Sequence, residues 1–444
     1  MTITIGIQRE TKSKWERRAP LTPDHVRQLT AAGVRVIVQP STVRIFSDAD
    51  YQQAGASVQD DLSPCRAIFA VKEIPIPDLL PEKTYVFFSH TIKGQAYNMP
   101  LLQRLLDLRC RLIDYERIAE PSGRRLIFFG RHAGLAGMID TLQALGKRWA
   151  IDGIDTPFAG MRLSHEYPDL NAALAQVREI GQAIGKQGLS TQAGPLIIGI
   201  AGDGNVSRGA QEALAALGVV ELTPERLLTE DLTTLSRQQV YMVVFREADL
   251  VRPLSADQPF ELSHYYAHPE GYAGRFADYL DRLTVVVNAL YWEERYPRLI
   301  TRADAQRLWS GAERPRLTVI GDLGCDIGGT VEFTVKATSQ EAPTFVYEPA
   351  TGNVVDGVAG KGPVVLAVDN LPCELPVDAS QSFGDALLPF VEAIGKGDPA
   401  APVAESGLPA SVLRAVITDN GELTPDYRYL EEHLRNALSA GAVR

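Results

Sequence analysis

A chain of 444 residues with 45% hydrophobic and 22% charged residues has an ordinary globular composition and enough length for two domain-sized cores, which excludes a disordered or fibrous protein. Its net charge of −11 leaves no basic stripe for displacing counterions, so no nucleic-acid partner is expected. No apolar run approaches the roughly 18 residues of a membrane span, and the start MTITIGIQRE reads as a strand rather than a signal peptide. Cys65, Cys110, Cys325 and Cys373 lack CxxC spacing or a nearby histidine array. A cytoplasmic protein without membrane partner, disulfide or metal is expected.

The early β-like runs are Ile3–Ile7, Val34–Gln39, Ala67–Val71, Tyr85–Phe88 and Arg111–Ile113. They alternate with polar or amphipathic segments such as Pro23–Ala32 and Asn98–Leu108, the pattern of a parallel sheet with crossover helices. Leu135, Met138, Leu142, Leu145 and Trp149 then share one helical face, which predicts a long linking helix packed between units. After a polar helix near Asn171–Ile184, a second strand series runs through Pro195–Ala201, Gln239–Phe245, Leu283–Val287 and Leu317–Ile320. The tail, with strand-like Thr344–Tyr347 and Val364–Val368 and a helix near Phe383–Ile394, is expected to fold back onto the first unit.

The strongest local signal is the strand LIIGIA followed by Gly202-Asp203-Gly204-Asn205-Val206-Ser207-Arg208-Gly209 and an amphipathic helix. Glycines there permit a tight turn and close backbone approach, and the helix start offers unpaired N–H groups to a pyrophosphate. The run departs from G-x-G-x-x-G because Ser207 replaces the third glycine, and an ordinary strand-to-helix turn is the competing reading. Glu221, near the end of the next predicted strand, stands where an acidic residue meets the ribose 2′-hydroxyl of NAD. It could equally be a solvated carboxylate opening a helix capped by Thr223, with Arg226 serving a 2′-phosphate instead.

Lys72 ends AIFAV and His90 ends YVFFS, so two successive strands deliver groups that burial and neighbouring charge can tune for acid/base work; a structural role is the alternative. Arg17 and Arg18 in WERRAPLTP, and Arg124 and Arg125 in SGRRLIFFG, suit bidentate binding of a carboxylate or a solvated surface. Asp114 and Glu116 after RLI raise the same question. Asn288 ends a strand where open α/β sheets bind ligands, and the Asp326-Ile327-Gly328-Gly329 turn suits a nicotinamide ribose or an ordinary loop. His264 and His268 have i, i+4 spacing without the HExxH glutamate, so no metal is assigned to them.

Taken in order, WERRAPLTP, FAVKEIP, FFSHTIK, LIDYERI, RLIFFGRHAGLAGMID, GDGNVSRGAQ, NALYWEERYPRLIT and VDNLPCELP resemble the lysine-ketoglutarate reductase part of bifunctional aminoadipic semialdehyde synthase. More distantly the chain is similar to lysine-forming saccharopine dehydrogenase and alanine dehydrogenase. The resemblance implies an α/β fold of two Rossmann-like doubly wound domains with an interdomain cleft, the C-terminal tail rejoining the first. Residues 1–130 plus 340–444 would form the substrate domain, and residues 131–339 the dinucleotide-binding domain.

The resemblance further implies catalytic roles for Lys72 and His90, carboxylate binding by Arg18 and Arg125, and a pocket lined by Lys93 and Glu116. Gly202, Gly204, Asn205, Val206 and Ser207 would hold the pyrophosphate, with Asp326 near the ribose or nicotinamide. The implied reaction condenses lysine with 2-oxoglutarate to saccharopine. The resemblance points to NADPH/NADP, whereas Glu221 leans to NADH/NAD. A separate saccharopine-cleaving dehydrogenase is the implied partner, since the chain ends where the reductase portion would end. Competing readings are an imine reductase using another oxo acid such as glyoxylate, a lysine-forming saccharopine dehydrogenase, and a silent dinucleotide-binding regulatory module; oligomeric state is left open.

Overall fold

The computed structural model describes residues 3–255, 257–311 and 314–441. The chain forms two units, Met1–Phe129 with Pro376–Arg444, and Gly130–Leu375. In chain order the first unit opens with strands β1 (Thr4–Ile7), β2 (Arg35–Val38), β3 (Ser57–Val58), β4 (Ala67–Phe69), β5 (Thr84–Phe87) and β6 (Arg111–Asp114). The second holds β7 (Leu196–Ala201), β8 (Val220–Glu221), β9 (Val240–Phe245), β10 (Val251–Pro253), β11 (Tyr272–Gly274), β12 (Val285–Asn288), β13 (Val319–Asp322), β14 (Thr344–Tyr347), β15 (Val354–Asp356) and β16 (Val364–Leu366). The tail returns β17 (Val416–Asp419) and β18 (Glu422–Leu423) to the first unit.

The first sheet has the order β18-β17-β6-β5-β4-β1-β2-β3. Strands β1 to β6 are parallel, and β4, β5 and β6 are buried along their whole length, as expected where helices cover both faces. The strand order reverses between β1 and β4, and doubly wound sheets bind ligands beyond the carboxyl ends of strands at that point. The tail is tied in by a buried charge. Arg111, inside β6 and 1% exposed, donates from Nε to Asp419 at 2.9 Å and from Nη2 to the Ala401 carbonyl at 2.6 Å, so β17 pairs antiparallel with β6. The two doubly wound units and the returning tail agree with the expected fold class.

The second sheet runs β15-β14-β16-β13-β12-β7-β9-β8. Residues 340–375 therefore belong here and not with the first unit, which corrects the expected boundary. The physical reason is pairing: β16 extends the sheet in parallel beside β13, and β14 joins it antiparallel. Strand-like composition alone could not say which sheet they would extend.

The helix Gly130–Ile151 also differs from expectation. It lies within the second unit, and residues around its whole circumference are buried, Asp140, Thr141 and Gln143 as well as the leucines. It crosses the helix Asn205–Ala215 so closely that a Cβ on Gly134 would lie 1.9 Å from the Val206 carbonyl, and one on Gly209 2.0 Å from that of Arg131. Among the described residues no helix is long and apolar enough to cross a membrane.

Candidate active site

In the first unit, Ile7 of β1 pairs with Phe69 of β4, and the chain continues from each strand to Glu10 and Lys72. Both residues thus lie beyond the carboxyl edge at the point where strand order reverses. The Glu10 carboxylate accepts from the backbone N–H of Val71 at 2.6 Å and of Lys72 at 3.1 Å, which joins the two strand ends. Burial, reinforced by the Glu16 carboxylate and opposed by those N–H donors, pushes Glu10 up to about 8.

Burial also lowers the Lys72 ammonium from its ordinary value; Arg18 adds to this and Glu16 opposes it. No described residue makes a hydrogen bond or ion pair with Lys72 Nζ. A desolvated, unpaired lysine surrenders its proton readily, which is the property a base needs.

His90 follows β5, one strand over from Lys72. Its Nδ1 lies 2.5 Å from Oε1 of Glu73, whose Oε2 takes a hydrogen bond from Lys12 at 2.8 Å. Burial raises the Glu73 carboxyl, but the bonds from His90 and Lys12 outweigh it and hold the group at about 2. His90 itself has φ +53, a left-handed conformation that costs a non-glycine residue on the order of 1–3 kcal/mol and that histidine enters more readily than most. The surroundings enforce it. Asn98 Nδ2 donates to the His90 carbonyl at 2.9 Å, Asp114 accepts from Ser89 N at 2.9 Å, and the Phe88 ring stacks near His90.

Arg18 is 1% exposed and grips Glu16 through Nε and Nη2 at 2.7 and 2.6 Å, with its guanidinium 4.1 Å from the Phe129 ring centroid. The fork expected to meet a substrate carboxylate is thus already set on a protein carboxylate. Arg125 pairs with Glu116 on a half-exposed edge, and Lys93 is exposed on the turn after His90. The Tyr115 hydroxyl is buried with no hydrogen-bond partner among the described residues, and its proton is held more tightly by that burial and by Glu10. Sequence reasoning passed over Glu10, Glu16, Glu73 and Tyr115. Glu10 and Glu73 each follow an apolar strand directly in QRE and VKE, and a carboxylate at such an edge was the available signal.

In the second unit, the strand order reverses between β7 and β12. Phe245, Ala201, Asn288 and Asp322 form one row across the carboxyl edge of β9, β7, β12 and β13. Gly202 leaves that row at φ +103, and Gly204 caps the helix Asn205–Ala215, with open space where its Cβ would be. Asp203, Gly204 and Asn205 are exposed, and Val206 is half-buried. These residues fit a pyrophosphate: the helix start presents N–H groups beside the open space at Gly204. Ser207 is instead fully buried and accepts from Gln211 at 2.9 Å, while Gly209 provides the close helix approach.

Asn288 donates to Asp322 at 2.7 Å, and Thr334 donates to the other Asp322 oxygen at 2.5 Å. Burial, partly offset by those two bonds, raises Asp322 to about 6. Asp326 is exposed in the following turn. Glu221 and Arg226 lie apart from the glycine loop. Glu221 is exposed on β8, two strands from β7, while Thr223 caps the helix Pro224–Thr229 and Arg226 pairs with Glu230 at 2.7 Å.

Two doubly wound sheets, one carrying a lysine and a histidine at its strand reversal and the other a glycine loop, define an α/β protein of two Rossmann-like domains. Residues 6–136 match the N-terminal domain and residues 271–426 the C-terminal domain of alanine dehydrogenase/PNT, and the chain belongs to that family. It is 40% identical over 445 residues to the α-aminoadipic semialdehyde synthase of Arabidopsis thaliana, which covers 96% of this chain and 41% of that protein. The mitochondrial synthase of Rattus norvegicus is 37% identical over 441 residues, 96% of this chain and 47% of its own. The chain thus spans less than half the length of these two relatives. The lysine-forming NAD(+) saccharopine dehydrogenase of Neurospora crassa is 28% identical, over 87% of this chain and 89% of that one. Among solved structures, an L-alanine dehydrogenase superposes with a TM-score of 0.61 at 20% identity over 97% of this chain and 99% of its own, a likeness of fold.

Proposed function

We propose that this chain condenses L-lysine with 2-oxoglutarate and reduces the resulting carbon–nitrogen double bond to saccharopine, using NADPH. The observation that carries the reading is the Lys72, His90 and Glu73 constellation at the strand reversal of the first unit. The lysine substrate has a reference pKa near 10.4, so presenting its amine neutral at pH 7 costs roughly 4–5 kcal/mol unless a base assists. Lys72, with its own proton loosely held, takes that proton and lets the amine attack the oxo carbon. Loss of water from the carbinolamine then needs a proton donor, and Lys72 and His90 share that work as a coupled pair, with Glu73 orienting the imidazole. Arg125, Lys93 and Glu116 are the side chains we assign to the substrate's charged ends, with Arg18 positioned by Glu16.

The reduced nicotinamide, when bound, supplies hydride to the imine carbon. Gly202, Gly204, Asn205 and Val206 are assigned to its pyrophosphate, and Asn288 and Asp326 to the ribose side. The identity shared with the synthases over almost the whole chain supports the lysine substrate. The test is nucleotide oxidation, followed by its near-ultraviolet absorbance, with lysine and 2-oxoglutarate, glyoxylate or pyruvate, in wild type, Lys72→Met and His90→Gln. Turnover that needs both lysine and 2-oxoglutarate and collapses in both variants is the expected result. Nucleotide binding without turnover on any oxo acid would leave a silent binding module.

A further inference from the structure

In a doubly wound dinucleotide fold the residue that reads the adenosine ribose ends the strand lying beside the glycine strand. Chain order assigns that place to Glu221, but the sheet does not. Strand β8 is two residues long and pairs only with β9, whereas β9, six residues of VYMVVF and almost wholly buried, occupies the place beside β7. The longer apolar strand takes the covered interior position and leaves the short one at the edge.

Register then separates the two candidates. Glu221 pairs with Met242, whereas Phe245 pairs with Ala201, three residues further towards the carboxyl edge. Glu221 therefore lies about 10 Å short of that edge and about 10 Å to the side of β7, at roughly 3.3 Å per residue and 4.8 Å per strand. The Phe245 carbonyl, by contrast, accepts from Gly202 N at 2.8 Å, and the next residue is Arg246.

We infer that Arg246 reads the 2′ position of the adenosine ribose and selects a 2′-phosphorylated nucleotide. This rests on the dinucleotide reading above and names the residue that selects the nucleotide. The Arg246 side chain is 74% exposed, and among the described residues its one ion pair is a loose contact of 3.8 Å from Nε to Asp203 in the glycine loop. Its backbone N–H is fixed by Asp249 at 2.9 Å as the cap of the helix Glu247–Leu250, so the side chain is anchored at its root and exposed towards its tip. A guanidinium so placed offers two parallel hydrogen bonds to a phosphate, and a phosphate dianion displaces a carboxylate held that loosely. The neighbouring carboxylate Glu247 is engaged by Tyr266 at 2.8 Å.

The test is calorimetric binding of adenosine 2′,5′-bisphosphate and adenosine 5′-monophosphate to the full chain. We expect the wild type to favour the bisphosphate about tenfold or more, and Arg246→Ala to bring the two affinities within about threefold while 5′-monophosphate binding is kept. Arg246→Lys should restore part of the preference, because a point charge replaces the fork. A preference untouched by Arg246→Ala but lost in Arg226→Ala or altered in Glu221→Gln overturns the assignment and leaves the proposed reaction standing; a wild type without preference overturns the assignment and the choice of NADPH, and leaves the condensation and imine reduction to the turnover test. Failure of the wild type to bind any adenine nucleotide, NADPH included, overturns the cofactor site itself and this assignment with it.

Discussion

The bond from His90 Nδ1 to Glu73 Oε1, 2.5 Å long, joins the ends of two adjacent parallel strands just beyond their last paired residues. It fixes the imidazole by one nitrogen and leaves Nε2 without a hydrogen bond to any described residue. Because Glu73 also holds Lys12, a single carboxylate organises a cation and a histidine next to Lys72.

Replacing that carboxylate should therefore cost both stability and rate. The Glu73 pKa is depressed from 4.5 to about 2, so the contribution is fully present above pH 4.5 and is lost as pH falls through about 2. For Glu73→Gln we expect a loss of about 2–3 kcal/mol at pH 7, read from urea unfolding, and a gap from wild type that narrows between pH 4.5 and 3. Turnover should fall about tenfold or more as the imidazole loses its orientation. A gap independent of pH would show that the ion pair is not its source.

Lys72 has the opposite sign. Its pKa is lowered by burial, so burying this amine opposes folding below its ordinary pKa, and that penalty is relieved only as pH rises through the interval from the lowered value to the ordinary one. Lys72→Met should raise Tm by a few degrees at pH 7 while abolishing turnover, the trade-off expected of a strained functional group. Equal Tm in the two proteins at pH 7 would mean that the lysine is not under electrostatic strain.

Much of this was legible in the sequence. Parallel-sheet periodicity marked the interior strands, and the glycine run marked the centre of the second sheet. What escaped depended on pairing between distant segments. Nothing in the two residues of β8 says they will be displaced by β9, and nothing in Val364–Leu366 says which sheet it extends. Lys72 and His90 stood out as candidates because each ends an apolar run. Glu73 was hidden beside Lys72, since its role comes from a histidine on another strand, and Arg18 gave no sign that Glu16, two residues away, would occupy its fork.

The glycines of the dinucleotide loop separate structural from ligand-directed need. At Gly204 a Cβ meets nothing within 4 Å and φ is −72, so Gly204→Ala should leave Tm unchanged yet weaken nucleotide binding about tenfold by filling the phosphate approach. At Gly209 the same methyl would lie 2.0 Å from the Arg131 backbone carbonyl, and the helices must move apart. Gly209→Ala should lose about 3 kcal/mol or more in thermal or urea unfolding. If Gly204→Ala bound nucleotide as wild type does, the open space above it would not be the phosphate seat.

Asp322 offers a pH signature for the second unit. Burial raises its pKa from 3.8 to about 6, so the folded protein holds this proton more tightly than the unfolded chain, and stability falls as pH climbs from about 4 to 6. Above pH 6 the buried carboxylate carries its full penalty, although Asn288 and Thr334 donate to it. An amide of the same shape keeps the acceptor for Asn288 and can donate to the Thr334 hydroxyl. Asp322→Asn should therefore be more stable than wild type at pH 7.5 by about 1–2 kcal/mol and nearly equal to it at pH 4. Urea unfolding at the two pH values reads the difference. A variant less stable at pH 7.5 would mean that the charged form, held by its two donors, is what the fold at this edge requires, and the carboxylate would then be the better candidate for contact with a bound ribose.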